Sequence, residues 1–363
     1  MGNRFIRLSG RSQQNGLLVL SALLAVAMLA LLYTAGCGKT ESAPPAQNLG
    51  ETKLPTTPGK ALRDVSLRLK WLYATYFGGP VVAQDKGFFK EYGFNLDVKP
   101  GGMQLDPVKL VASGSNTFGV IGADGLLLAR AQGIPVVAIA AQEPVSAACF
   151  YTLKSSGITQ PSQFAGKKVG MFFGNDTETV YKALMRKLRI DRSTISESPA
   201  PWDLKPLLEG QLDVYPGYSY DQSMPLTQEG IAFNIIDPHQ YGIVFLGNIY
   251  FTTEKLIKED PKLVQGFVSG TIKGWRYAFA NADEAVAIVM GHDDTLKKDE
   301  QAYYLKACKP FVWPEGREIG VMTDDDWQRT CAILREEGVL KEDLDVKKAF
   351  TTEFVDAYYA EVK

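Results

Sequence analysis

From Val65 onward the chain switches repeatedly between period-two and period-3.6 patterning, and this alternation limits the folds open to it. "VSLRLKWLY" reads as a strand, "GGPVVAQDKGFFKEYG" as a helix with a glycine stop, and "FNLDVKPGG" as a second strand. "DPVKLVASGS" is helical, "TFGVIGAD" a strand, "GLLLARAQGI" a helix and "PVVAIAAQ" a buried strand. Such alternation predicts an α/β fold, a mostly parallel sheet covered by helices. A second unit follows. "ACFYTLKSSGI" reads as a crossing segment, and "KKVGMFF", "TETVYKALMRKLRI", "PWDLKPLLEGQ", "LDVYPGYS" and "IAFNIID" alternate again. After "YGIVFLGNIYFTTEKLI" the pattern is helix-rich to the end.

The front of the chain sets the compartment. Arg4, Arg7 and Arg11 precede an apolar run from Leu17 to Leu32, and Thr34-Ala35-Gly36 leads into Cys37. Basic head, short apolar core and small residues before a cut point make up a secretory signal peptide. Small residues directly before a cysteine resemble the lipobox of bacterial lipoproteins, which predicts removal of the leader (1–37 includes the lipobox) and lipidation of Cys37. An uncleaved membrane anchor is the alternative. Either way the body is expected outside the cytoplasmic membrane, lipid-anchored on its outer face or in the periplasm. Residues 38–64, rich in Pro, Thr, Gly and charge, cannot bury enough surface to fold and read as a flexible tether. The remainder is large for one core and comfortable for two. A net charge of −2 predicts no nucleic-acid partner. Cys149, Cys308 and Cys331 are too sparse for a disulfide framework and read as buried hydrophobes, although Cys308 and Cys331 could pair in an oxidising compartment. No metal-ligand spacing and no nucleophile elbow is present, so neither metal nor cofactor is expected.

At "KWLYATYFGGPVVAQDKGFFKEYGFNLDVKPGG", "VASGSNTFGVIGADGLLLARAQGIPVVAIAA" and "PKLVQGFVSGTIKGWRYAFANADEA" the chain resembles the SsuA/THI5-like (NMT1-like) solute-binding proteins of ABC importers. That branch has sulfonate-, nitrate-, thiamine-precursor- and riboflavin-binding members. The resemblance implies the type II periplasmic-binding-protein fold: two α/β lobes, a hinge of two crossing strands and solute in the cleft between. The first lobe would combine residues 65–148 with 250–363, and 149–249 would form the second. It also implies a monomer that closes on solute and delivers it to a membrane permease. A thiamine pyrimidine synthase in the same branch carries a cysteine-rich stretch after Tyr-Gly. Here that stretch is "YGIVFLGNIY", without cysteine, and His239 and His292 sit in polar, exposed-looking contexts outside the first lobe's strands. No enzyme is expected.

Loops at strand C-terminal ends should line such a cleft. They supply Trp71, Tyr73, Tyr76 and Phe77, then Asp124, then Gln142 and Glu143. In "GMFFGNDTETVYKAL" a strand stops at Gly174 and becomes a helix, presenting Asn175, Asp176, Thr177 and Glu178. "VYPGYSYDQ" adds Tyr215, Tyr218, Tyr220 and Asp221. This rim is aromatic and acidic, with no Arg or Lys assigned to it. Carboxylates oppose an oxyanion but accept from ring N–H and amino groups, and aromatic faces stack on a flat ring. The residues therefore predict a small nitrogenous aromatic solute, and the resemblance, whose members take both, implies an aminopyrimidine thiamine precursor first and riboflavin second. A sulfonate- or nitrate-type oxyanion is the alternative. Competing structural roles are a capping box from Asn175 to Glu178, an N-cap at Asp124, core packing of Trp71, and ordinary turn positions for Tyr218 and Asp221. Trp275, Trp313 and Trp327 read as packing residues.

Overall fold

The computed structural model describes residues 62–341 and 344–362. The leader, Cys37 and the tether up to residue 61 lie outside the described residues. The chain runs through β1 (Arg63–Arg68), α1 (Gly78–Asp85), β2 (Phe94–Lys99), α2 (Pro107–Ala112), β3 (Phe118–Gly122), α3 (Ala123–Ala131) and β4 (Val136–Ala141). It then enters a second body through β5 (Ala148–Leu153), β6 (Lys168–Met171), α4 (Asp176–Lys187), β7 (Ser196–Pro199), α5 (Lys205–Leu208), β8 (Tyr215–Tyr218), α6 (Ser223–Gln228) and β9 (Phe233–Ile236). It returns in β10 (Asn248–Thr253) and finishes with α7 (Glu254–Glu259), α8 (Pro261–Ala280), α9 (Ala282–Met290), α10 (Lys298–Val312), α11 (Asp324–Glu336) and α12 (Glu353–Glu361).

The first sheet has the order β2-β1-β3-β10-β4 and the second β8-β5-β9, with β6 and β7 paired beside it. Three expectations change. The sheet is not mostly parallel throughout: β1 is parallel to β2 and β3, but β10 is antiparallel to β3 and β4, and the second sheet is antiparallel. A strand that comes back from another body enters its home sheet reversed. "ACFYTLKSSGI" is not the crossing. Its first six residues are β5, the central strand of the second sheet, and the crossing is Gln142–Ala147. The helix expected over 78–93 ends at Asp85, because Gly87 and Gly93 adopt φ of 72° and 84°, which bound a separate tight turn.

The two crossings are laced together. Gln142 and Glu143 N–H both donate to Asn248 O at 2.9 Å, Gly247 N–H donates to Glu143 O at 3.0 Å, and Ser146 N–H donates to Phe245 O at 2.8 Å. One buried cluster fills the first body around Trp275, Phe267 and Phe118. Another runs from β4 and β10 into β5, β6 and α4, with Trp327 and Cys331 of α11 among its members. Helix α11 packs on both α3 and α4, and Arg186 of α4 forms ion pairs with Glu336 and Glu337. Cys308 belongs to the first cluster and Cys331 to the second, so the two are not bridged to one another.

Helices α1 and α8 approach backbone to backbone at Gly79 and Gly274. A Cβ on Gly274 would fall onto the carbonyl oxygen of Gly79, and one on Gly79 onto the indole of Trp275. That indole is fixed by its N–H bond to Tyr250 Oη at 2.9 Å. Overpacking of this kind costs about 1–3 kcal/mol, more where only backbone can yield. Gly274→Ala is therefore expected to lower unfolding free energy by at least about 2 kcal/mol in urea titration. An unchanged midpoint would mean that the helices slide apart at no cost.

Candidate functional site

A cavity of about 240 Å³ opens between the two sheet bodies. The first body contributes Lys70 and Trp71 from the loop after β1, Tyr76 and Phe77, the Gly102–Pro107 loop, Ile121, and Asn248 at the start of β10. The second contributes Asn175 at the head of α4, Trp202 before α5, and Tyr218, Tyr220 and Asp221 at the end of β8. Strand ends place these groups because side chains leaving the last hydrogen-bonded residue no longer face the core.

Aromatic contacts form the walls. Trp71 meets Trp202 across the mouth at 5.7 Å between ring centroids, and Trp202 is stacked on Phe172 at 4.1 Å. Tyr218 stacks on Tyr220 at 6.3 Å, and Tyr220 leans on Tyr76 at 5.1 Å. Beyond the two indoles lies a second chamber of about 590 Å³, which shares Trp71, Trp202 and Asp221 with the inner cavity.

The polar groups are organised behind the rings. Tyr220 O–H donates to Glu143 Oε1 at 2.7 Å, Asn248 Nδ2 donates to Glu143 Oε2 at 3.1 Å, and Lys70 Nζ donates to Asn248 Oδ1 at 3.2 Å. Tyr218 O–H reaches Asp176 Oδ1 at 2.6 Å and Asn175 Oδ1 at 3.0 Å. Burial raises the Glu143 carboxyl, opposed by the Tyr220 hydroxyl and the charge of Lys70. Burial also raises Asp221, against its bond from Gln222. Asp124 is pushed up to about 6 by burial and by the charge of Asp176, with Lys70 opposing. Among the described residues no group of three or more His, Cys, Asp or Glu is placed to hold a metal ion.

Of the residues singled out in the sequence, Trp71, Tyr76, Phe77, Asn175, Tyr218 and Asp221 line the cavity, and Tyr220 joins them. The others do not. Glu178 accepts from Gly174 N–H at 2.7 Å and pairs with Lys182 at 2.6 Å, so its carboxylate closes the turn instead of facing the cavity. Asn175 is the N-cap and accepts from Thr177 N–H; the expected reciprocal bond from Glu178 goes one residue earlier, to Gly174. Asp176 and Glu143 stand behind Tyr218 and Tyr220, and Gln142 Nε2 donates to Tyr76 O. Thr177 is buried in the first turn of α4, and Gly174, with φ of 77°, supplies the turn without lining the cavity. Asp124 is in the first turn of α3, whose N-cap is Gly122. Tyr73 and Tyr215 donate to backbone carbonyls of Val98 and Pro201 and lie outside the cavity. His239 pairs with Asp237 and His292 packs on Tyr73, each half-buried, not exposed. Lys70 corrects the expectation of a rim without cations: β1 stops at Arg68, two residues short of it, so Lys70 crosses the sheet end. Trp202, Met103, Leu105 and Asn248 were also missed.

A carboxyl whose folded pKa lies above its unfolded value favours folding once protonated, so its contribution is present at low pH and lost as pH rises through the folded value. Asp124, Glu143 and Asp221 all act in this sense. The melting temperature should therefore rise from about pH 7 to about pH 5, and Asp124→Asn should raise it at pH 7 while flattening the slope. A variant with the wild-type slope would remove Asp124 as its source. The depressed carboxyls Glu197 and Asp237 act oppositely, below the ordinary carboxylate range.

Comparison with known proteins places this geometry in a family. The 4-amino-5-hydroxymethyl-2-methylpyrimidine phosphate synthase of Legionella pneumophila is 23% identical over 82% of this chain and 95% of its own length. The formylaminopyrimidine-binding protein of Halalkalibacterium halodurans is 23% identical over 90% of this chain and 96% of its own. The riboflavin-binding protein RibY of Chloroflexus aurantiacus is 23% identical over 90% and 95%. In fold, the chain is similar to the periplasmic aliphatic sulphonate-binding protein SsuA of Escherichia coli, with a TM-score of 0.65, 14% identity and coverage of 81% of this chain and 93% of that one. Residues 74–285 match the family described as NMT1/THI5 like. Matched over more than half its length, the chain belongs to the NMT1/THI5-like family and has the periplasmic-binding-protein fold of two bodies around a cleft.

Proposed function

We propose that the protein is an exported solute-binding protein of an ABC importer that captures a small nitrogenous aromatic solute and delivers it to a membrane permease. The observation that carries this reading is the make-up of the cavity wall: six aromatic side chains, two amides and one carboxylate around a space of about 240 Å³. Tyr, Trp and Phe faces offer stacking worth about 0.5–1.5 kcal/mol per pair. Asn175 and Asn248 can donate and accept, and Asp221 accepts from ring N–H or amino groups. The volume is below the ~300–1,000 Å³ of sites for drug-sized ligands, which favours a single-ring aminopyrimidine over the three-ring riboflavin. The formylaminopyrimidine-binding relative supports the same order. Retention by Cys37 at the membrane and a monomeric state complete the proposal.

The absence of catalysis is part of this reading, because a relative named as a synthase belongs to the same family. Neither histidine lines the cavity, and the stretch 241–250 that would bear reactive cysteines has none. One observation favours the oxyanion alternative, the ammonium of Lys70 at the cavity wall. Against it stand Asp221 in the wall and Asp124, Glu143 and Asp176 around the lysine.

A thermal-shift panel on the chain from residue 38 onward tests the two readings together. An aminopyrimidine at about one hundred times its dissociation constant should add roughly 2.7 kcal/mol to the folded state, with taurine and nitrate inert. Trp71→Ala should weaken that solute by about tenfold, roughly 1.4 kcal/mol, through loss of a stacking face. A shift with taurine alone would reject the heterocycle reading.

A further inference from the structure

The inner cavity and the outer chamber meet at three shared residues, Trp71, Trp202 and Asp221. Two of these are indoles from different bodies, in contact across the mouth. Each indole is carried on a fixed stretch of backbone. On the first body, Gly101 N–H donates to Trp71 O at 2.7 Å, and a Cβ on Gly101 would fall onto the carbonyl oxygen of Leu69, so the two loops lie backbone to backbone. On the second, Tyr215 O–H donates to Pro201 O at 2.5 Å, and Asp203 accepts from Lys205 N–H at 2.9 Å at the entrance to α5. Trp202 stands between these two held residues. Its ring is stacked on Phe172, which is 6% exposed and packs edge-on against Tyr215 in the small core of the second body.

This placement makes Trp202 a poor platform for a solute and a good stop. One face of the ring is taken by Phe172, and Trp71 of the first body already meets it. The side chain is 44% exposed, so filling a core is not its role either. A solute passing from the outer chamber to the inner cavity has to part the two indoles. The mouth opens when a ring turns or when the bodies separate, and in either case this contact breaks. A ring pair shifts an equilibrium by about twofold to tenfold, so the parted state is the minor one, and entry and exit both scale with its population. We propose that Trp71 and Trp202 form a gate between the two chambers, with Trp202 the residue that sets how fast solute enters and leaves. The outer chamber is then the vestibule. The proposal rests on the solute-binding reading given above. Entry past the Gly102–Pro107 loop, where Met103 is 72% exposed, is the competing route.

Rate constants separate a gate from a wall. Labelled 4-amino-5-hydroxymethyl-2-methylpyrimidine, bound to the full chain in detergent and chased with excess unlabelled compound, gives the dissociation rate constant. Equilibrium dialysis gives the dissociation constant, and the two together give the association rate constant without reliance on tryptophan emission. Trp202→Ala should raise the association rate constant about twofold to tenfold, and the dissociation rate constant by at least as much. Trp202→Phe, which keeps a ring on Phe172, should return both toward the wild type. In a Trp71→Ala background association should already be fast, and adding Trp202→Ala should leave it there. Trp202→Leu serves as the second truncation, with melting temperatures showing that each variant folds. An association rate constant unchanged in both truncations overturns the gate in favour of the competing route and leaves the solute class standing. Additive effects of the Trp71 and Trp202 substitutions on association do the same, because rings that act independently do not form a gate. A wild type that does not bind the probe overturns the single-ring solute and this inference with it.

Discussion

The carboxylate of Glu143 is the point at which both bodies and the cavity meet. It is 2% exposed, and one oxygen takes the hydroxyl of Tyr220 from the second body while the other takes the amide of Asn248 on the returning strand. Bonds to a charged group contribute about 1.5–3 kcal/mol each, and a buried acceptor stripped of a donor costs the full desolvation of that group. Tyr220 can therefore not leave cheaply. Although it belongs to the second body by sequence, it packs with Tyr76 and Phe311 in the cluster of the first. Asn248 passes the constraint on, because its oxygen holds Lys70 at the cavity wall.

The chain path makes this junction necessary. A single insertion into an α/β sheet requires two crossings, and the crossings lie side by side as an extended ladder from Gln142 to Asn248. Backbone groups in such a connection would be costly if buried alone, and pairing the two segments satisfies them mutually. The same path accounts for the reversed β10 and for α11, which reaches past the first sheet to fill the core beside α4. The cavity is then bounded by strand ends on both sides, and the rings across it come from three separate segments of the chain.

Much of the architecture was legible because the apolar alternation is strong. The all-apolar "PVVAIAAQ" reads as a buried strand, and it is β4, which ends the first sheet yet is buried along its whole length. The site was half legible. Trp71, Tyr76 and Phe77 follow a strand end that periodicity locates, and Asn175 precedes a helix whose glycine turn is plain. Lys70 was hidden by the same periodicity: in "LRLKW" it alternates with leucines and reads as the outer face of a strand, whereas the hydrogen-bonded strand stops at Arg68. Trp202 was hidden inside "PWDLKPLLEGQ", of which only Lys205–Leu208 is helical. Its signal was the Pro-Trp pair, an aromatic at a helix entrance where capping residues are ordinary. For Glu178, sequence left capping and ligand contact both open, and only the position of Lys182 one turn on separates them.

The two sides of the junction are held by forces that respond differently to the medium. Around the cavity the bodies meet through rings and a buried carboxylate, which ions in solution hardly reach. Between α4 and α11, whose residues line no part of the cavity, the contact combines a buried apolar cluster with the pairing of Arg186 to Glu336 and Glu337, and the arginine is half in water. With a screening length of about 8 Å at physiological ionic strength, the ion-paired part of that contact weakens in a salty medium while the apolar and aromatic parts do not. The two bodies are therefore joined by one contact indifferent to ionic strength and by another whose polar part responds to it.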